Sequence, residues 1–354
     1  MGLRQYIMKR IIYSLILLVL VMTLNYIIFM IMPGDPTTLF IHPYKKGSPE
    51  EVERQIKALR ELWGINDPPL TRYFKYVLNM LSWNFGIAFN DRQPVSLHIA
   101  EKLPYTLVLI GGSTVFAIVI GVVLGALAAH KRGGRFDTFS VVSSLVFYSL
   151  PTFWMGLVLI FIFYTQLDWF PHAHARPPEW SIRGAFPEPF TFTSSTGSPL
   201  GVLVSVNPNK LWELIMGYAT HAFLPVLTLT LFQYGGFLLL TRATMIEALT
   251  EDYIVTARAK GVAERSVIFK HALKNASLPL ITAVALSFGF MLSGAIITEG
   301  VYSWPGLGRW IFDAINVKDF NILQAIFYII AVCVILANFL ADLLYGVIDP
   351  RIKY

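Results

Sequence analysis

Cysteine is nearly absent from this chain. Its 354 residues include one, Cys333, set in an apolar run. An intramolecular disulfide framework and a cysteine-built zinc site are both excluded. Charge is scarce as well: Asp, Glu, Lys and Arg make up 14% of residues, where an ordinary soluble domain carries roughly a quarter. With hydrophobic residues at 55%, disordered, fibrous and ordinary cytosolic classes are excluded. Chemistry-bearing motifs are missing too. There is no G-x-x-x-x-G-K-[ST] loop to cradle ATP phosphates, and no G-x-S-x-G or H-E-x-x-H to support a hydrolase. No internal repeat of the kind common in secondary transporters is evident. The chain is not expected to be an enzyme or to bind a cofactor or metal itself.

What is present is a set of long apolar runs. A helix needs about 20 apolar residues to cross the bilayer core. Six segments meet this: Ile11 to Ile31, Leu107 to Ala129, Val141 to Leu167, Phe223 to Leu240, Leu278 to Ile297 and Leu323 to Leu340. None contains Asp, Glu, Lys or Arg. The first run is too long for a cleaved leader and reads as a retained helix. An all-α membrane protein of six spans follows.

Six spans place both termini on one side. If that side is cytoplasmic, its pieces hold 14 Lys/Arg and 6 Asp/Glu, and the outer pieces 14 Lys/Arg and 15 Asp/Glu. Nine of the outer cations fall in the segment 33–103, which is too long to count under the positive-inside rule. The expected topology is a multi-pass cell-membrane protein with both termini inside. The net charge of +6 is then a matter of topology, and no nucleic-acid partner is required.

Segment 33–103 reads as a small external helical insertion. Ser48-Pro49-Glu50-Glu51 is a helix start, with Val52, Ile56, Leu59 and Leu62/Trp63 at helical spacing. A second amphipathic helix is expected from Thr71 to Leu81 and a short third from Val95 to Lys102. The expected division is thus 1–32, 33–103 and a core of 104–354. Within that core the outer loop 168–218, rich in Pro, Ser, Thr and Gly, is expected to be irregular and to lie over the outer mouth. The histidines in it, His172 and His174, are a weak metal signal and read as solvated loop. The loop 241–275 is the most informative. Thr250 or Asp252 can cap a helix to about Ala259, which Gly261 ends, and a second helix from about Ala263 returns the chain to the membrane. Small side chains at Thr256, Ala257 and Ala259 suit insertion into a partner's groove, while an amphipathic loop resting on headgroups fits the same pattern.

Several polar or small residues stand out inside the spans. Gly121 and Gly125 form a small-xxx-small pair, suited to static packing or to a moving subunit interface. Asn25, Gln233 and Asn338 can line a polar path or bond a neighbouring helix. Asp342, four residues after Asn338, can hold a loop or pair with a cation. Trp304, Pro305, Gly306 and Gly308 follow the fifth span, and such backbone near a membrane face points to an outer gate or cavity element.

These pieces occur in an order that resembles a known family. Asp252-Tyr253-Ile254-Val255-Thr256-Ala257-Arg258-Ala259-Lys260-Gly261 and His271-Ala272-Leu273-Lys274-Asn275 are similar to the EAA loop of permease subunits of binding-protein-dependent ABC importers, in the oligopeptide/dipeptide/nickel branch. Val255 stands where the general motif has glutamate. Met32-Pro33-Gly34-Asp35-Pro36, Glu299 to Arg309 and Asp349-Pro350-Arg351-Ile352 match too, and the long segment after the first span resembles the "B" permease. The resemblance implies a transport subunit that pairs with a second, homologous permease. Two cytoplasmic ATPase subunits carrying ATP and magnesium would drive it, and an extracytoplasmic solute-binding protein would deliver oligopeptides or oligosaccharides. It assigns ATPase coupling to Asp252, Tyr253, Thr256, Ala257, Arg258, Ala259, Lys260 and Gly261. A nickel importer of the same branch and a stand-alone secondary transporter are the alternatives.

Overall fold

The computed structural model describes residues 3–31, 54, 57, 67–182, 185–194, 202–289 and 295–348. The helix expected from Pro49 to Trp63 lies outside the described residues, except for Arg54 and Lys57. The motif at 32–36 and the tail from 349 lie outside them as well.

The chain is a bundle of long helices. α1 (Leu3–Ile31) comes first, followed by a short amphipathic helix α2 (Pro69–Leu81). α3 (Val95–His130) is continuous. The short third helix expected in the outer segment is therefore the first part of α3. Pro104 sits inside α3 and offers no N–H to the turn before it. The helix carries on through one wider turn, Leu107–Gly111, which re-registers the hydrogen bonds past the proline.

α4 (Arg135–Ser149) and α5 (Thr152–Gln166) meet at an angle of 101°. The segment expected as one span, Val141 to Leu167, is thus bent within its length. Pro151 disfavours helical geometry at Leu150, whose ψ is 135°, and the helix breaks there.

The outer loop is more ordered than its composition suggests. Strands β1 (Phe190–Ser194) and β2 (Val202–Val206) pair antiparallel, Phe190 opposite Val206. α6 (Pro208–Leu249) starts before the predicted span and runs for 42 residues. Asn207 caps it, its side-chain oxygen accepting from the N–H groups of Asn209 and Lys210, with Pro208 at the first helical position. α7 (Asp252–Ala259), the single turn α8 (Glu264–Ser266) and α9 (Leu273–Gly289) follow. Then come α10 (Ile296–Val301), α11 (Leu307–Asn316) and α12 (Phe320–Ile348).

Among the described residues, four helices are long and apolar enough to cross a membrane, and the bent α4–α5 pair makes a fifth candidate. The remaining expected span, Leu278 to Ile297, coincides in its first part with α9 and includes residues outside the described set.

Small residues set the helix spacing. A Cβ on Gly121 would stand 2.5 Å from the Phe237 Cβ and 2.7 Å from the Tyr234 carbonyl oxygen. One on Gly125 would stand 2.6 Å from the Leu238 carbonyl oxygen and 2.7 Å from the Thr241 Cβ. The small-xxx-small pair thus seats α3 on α6 within this chain, and that face of α3 is not free for another subunit.

The long helices also fix the ends of the bundle. Near its start α3 meets the α10–α11 turn, where the Trp304 indole donates to the Tyr105 carbonyl. At its far end His130 lies 3.5 Å from Glu264. The separation of 25 positions from Tyr105 to His130 corresponds to about 37 Å of helix, the scale of a bilayer. Arg10 of α1 pairs with Asp342 of α12 at 2.9 Å, while the Asn25 amide donates to the Gln324 carbonyl. The start of α1, the last turns of α12 and α7 therefore stand at one end.

Candidate functional site

The loop at the α7 end is rigidly mounted. Glu251 precedes α7 with extended backbone, and Gly261 closes the elbow at φ +75°. Ile254 and Ala257 point inward and pack with Ala126, Met245, Val267 and Ile268. Asp252, Val255, Thr256 and Ala259 recur at i, i+3, i+4 and i+7 and are exposed, as are Lys260 and Gly261. Val255 is 60% exposed.

Ala257 is therefore corrected from a groove-facing residue to one that seats the helix on its own chain. Arg258 is likewise engaged at home. Its guanidinium donates to both Glu264 oxygens, at 2.7 and 3.3 Å, and so braces α7 against α8. That bond holds the Glu264 carboxyl below its ordinary pKa and raises that of Arg258. The Tyr253 hydroxyl is buried with no hydrogen-bond partner among the described residues.

Gly261 has open space around it, so the requirement there is conformational. A Gly261→Ala variant is expected to lose about 1–2 kcal/mol of local stability, and Gly261→Asn less, because Asn tolerates the left-handed region. Hydrogen exchange of the 252–266 amides measures this. Equal protection in both variants and the parent would contradict it.

Behind the loop, Asp137 accepts two hydrogen bonds from Arg242 at 2.6 and 2.8 Å and one from the Gly133 N–H at 2.9 Å. Asp137 is buried, and this bidentate pair fastens α4 to the end of α6. Sequence reading missed it, because the two residues are 105 positions apart.

At the opposite end the expected gate residues form one cluster around Glu299. Its carboxylate accepts from Thr106 Oγ1 at 3.3 Å and from the Arg309 N–H at 2.8 Å. The Thr106 hydroxyl oxygen in turn accepts from the Leu307 N–H at 2.7 Å. The carboxylate thus sits at the N-terminus of α11, where open N–H groups favour negative charge. Gly306 and Gly308 are small for this reason: a Cβ would lie 2.5 Å and 3.1 Å, respectively, from Glu299 carboxyl atoms. Trp304 is buried among Leu109, Ile110, Ala222 and Leu229. The Tyr302 hydroxyl shares a hydrogen bond with Thr228 and donates to the Gly156 carbonyl. The outer loop rests on this cluster through the His174 N–H to Tyr302 carbonyl bond. In the sequence Glu299 stands out only as the first residue of the 299–309 motif. The glycines at 306 and 308, each a space beside a buried acid, were the available signal.

Asn25 bonds neighbouring helices, the second of the two roles its position suggested. It is buried, and its amide also donates to the Tyr76 hydroxyl at 2.8 Å. Gln233 is partly buried and bonds Ser113 and Thr114 of α3. Asn338 donates to the Val334 carbonyl one turn back. An apolar cavity of about 570 Å³ opens between α3, α9 and α12, lined by Ile118, Val122, Leu280, Ile281, Val284 and Leu340 among others.

Residues 121–354 match the family described as "Binding-protein-dependent transport system inner membrane component", and residues 3–110 match the N-terminal component of such systems. The chain belongs to this family. Its relatives include the dipeptide transport system permease protein DppB of Alkalihalophilus pseudofirmus, 34% identical over 99% of both chains. The oligopeptide transport system permease protein AppB of Bacillus subtilis is 33% identical over 99% of both. The dipeptide permease DppB of Escherichia coli K12 is 34% identical, again over 99% of both. This permease is accordingly a multi-pass inner-membrane transport subunit, and such subunits are not enzymes.

Proposed function

We propose that this permease forms, with a second homologous permease, the translocation pathway of an ABC importer for peptides. A solute-binding protein delivers the peptide outside, and two ATPase subunits carrying ATP and magnesium act at the α7 end, which is cytoplasmic. The observation that carries the reading is the exposed face of α7, presented by Asp252, Val255, Thr256 and Ala259 and anchored from behind by Ile254 and Ala257. An exposed valine on a short helix held rigidly outside the bundle is what a groove in a partner would receive. Force on this face reaches α3 through the His130–Glu264 contact and α6 through Met245 and Ala248. The names of the relatives favour peptides as cargo. Among the described residues the lining of the apolar cavity carries no charge, which leaves cargo selection to the binding protein.

Thr256→Trp and Ala259→Trp enlarge the exposed face without touching the buried one. ATPase association is expected to weaken at least about tenfold, equivalent to ~1.4 kcal/mol, with normal amounts of permease in the membrane. Full association and full stimulated hydrolysis in both variants would remove α7 from the coupling role. Ligands recovered with the binding protein identify the cargo class: oligosaccharide or nickel in place of peptide would overturn that part. Uptake by this chain alone, driven by an ion gradient, would replace the whole reading with a secondary transporter.

A further inference from the structure

The α2 helix divides into three faces. Tyr73, Tyr76 and Met80 point into the protein: Tyr73 shares a 2.7 Å hydrogen bond with Thr23, and Tyr76 and Met80 are buried. Thr71, Lys75 and Asn79 form a second, exposed polar face. The third is apolar yet exposed: Leu70 70%, Phe74 56%, Leu78 65% and Leu81 51%. At 100° per residue these four occupy an arc of about 80° between the other two faces. Trp83, just past the helix, is 59% exposed.

The height of α2 along α1 says what this face meets. Its contacts on α1 are Thr23, Asn25 and Tyr26, the last donating from its hydroxyl to the Pro69 carbonyl at 3.0 Å. The apolar span of α1 ends at Phe29. Thr23 lies six residues before that end, about 9 Å along the axis. An amphipathic helix in a membrane interface buries its apolar face roughly 5–10 Å into the headgroup–acyl boundary. The neighbouring surface of α1 (Leu20, Leu24, Ile27 and Ile28) is itself half-exposed and apolar, as a lipid-facing span must be. The α2 stripe continues that surface sideways. Tyr26 and Tyr73, edge to face at 5.4 Å, and Trp83 supply the aromatic residues typical of this depth.

We propose that α2 is an interfacial lipid-binding helix, lying in the leaflet where α1 ends with Leu70, Phe74, Leu78 and Leu81 against acyl chains. It sets the height of the segment that follows it. That segment is clamped to the start of α12 by the Phe89 N–H on Asp319 and by the Asn321 amide on the Ile87 carbonyl. The lipid surface therefore holds the outer end of α12 in register with the membrane.

The test uses full-length permease with Cys333→Ser and single cysteines at Phe74, Leu78 or Asn79, each carrying an environment-sensitive fluorophore. The vesicles contain phosphatidylethanolamine and phosphatidylglycerol, with or without lipids bearing a nitroxide near the ester end of the acyl chain. Nitroxide is expected to cut emission at least about twofold from positions 74 and 78 and to spare position 79. Two positions on the stripe guard against one label disturbing the helix. Water-like, unquenched emission at 74 and 78 would mean a solvated face. Blue-shifted but unquenched emission would mean that protein covers it, whether another segment of this chain or a partner. Equal quenching at 79 would mean the helix is not oriented. Each of these three outcomes overturns the proposal.

Discussion

Replacing Glu299 by Ala is expected to abolish most uptake while leaving the permease in the membrane. The Glu299 side chain is fully buried, and the Thr106 hydroxyl and the Arg309 N–H both donate to it. Each donor left unsatisfied in a dry site costs about 1–3 kcal/mol. Losing both is large against the ~5–15 kcal/mol that holds a typical domain together. The damage is directional as well. The carboxylate joins α10 to the first turn of α11 and to α3, and Gly306 and Gly308 leave the notch that it fills. Without it the Trp304 turn loses its seat. Glu299→Gln keeps the volume but turns a donor toward N–H groups, so an intermediate defect is expected. Thermal unfolding of the purified protein and uptake into proteoliposomes give the two readings. An Ala variant with parental melting and uptake would show that the buried acid is dispensable.

How much of this was legible in the sequence depended on the range of the interaction. The elbow at Gly261 and the limits of α7 were readable, because a left-handed turn and a cap are local events. Four of the six expected spans were readable as long apolar helices from uninterrupted apolarity, whereas the bend at Pro151 inside another was not, although a proline restricts the residue before it. Ala257 was read as groove-facing because it is small, and small residues serve a close internal contact equally well. Only the position of Met245 and Val267 in space separates the two. The Asp137–Arg242 pair and the Phe89–Asp319 clamp join residues more than a hundred positions apart, and no local pattern announces them. The pairing of β1 with β2 was hidden by a composition that signals irregular loop.

The seam between α3 and α6 carries the other large expected effect. At Gly125, even one added methyl would stand 2.6 Å from a backbone oxygen of α6 and 2.7 Å from the Thr241 Cβ. Backbone cannot turn aside as the tip of a flexible side chain does, so the two helices must separate. Overpacking of a tight contact costs about 1–3 kcal/mol, and Gly125→Leu should exceed Gly125→Ala. The consequence reaches both ends, because α3 meets the Trp304 turn near its start and Glu264 at its finish. Both variants should therefore melt at lower temperature and lose uptake together with ATPase stimulation. Gly236 supplies the internal control. It lies within α6, with nothing inside 4 Å of an added Cβ, and relieving a helical glycine there should stabilise by up to ~1 kcal/mol. The two alanine variants are thus expected to move melting in opposite directions. If Gly125→Ala instead matched Gly236→Ala, the helices would have room to spare, and the glycine pair would not be what sets their separation.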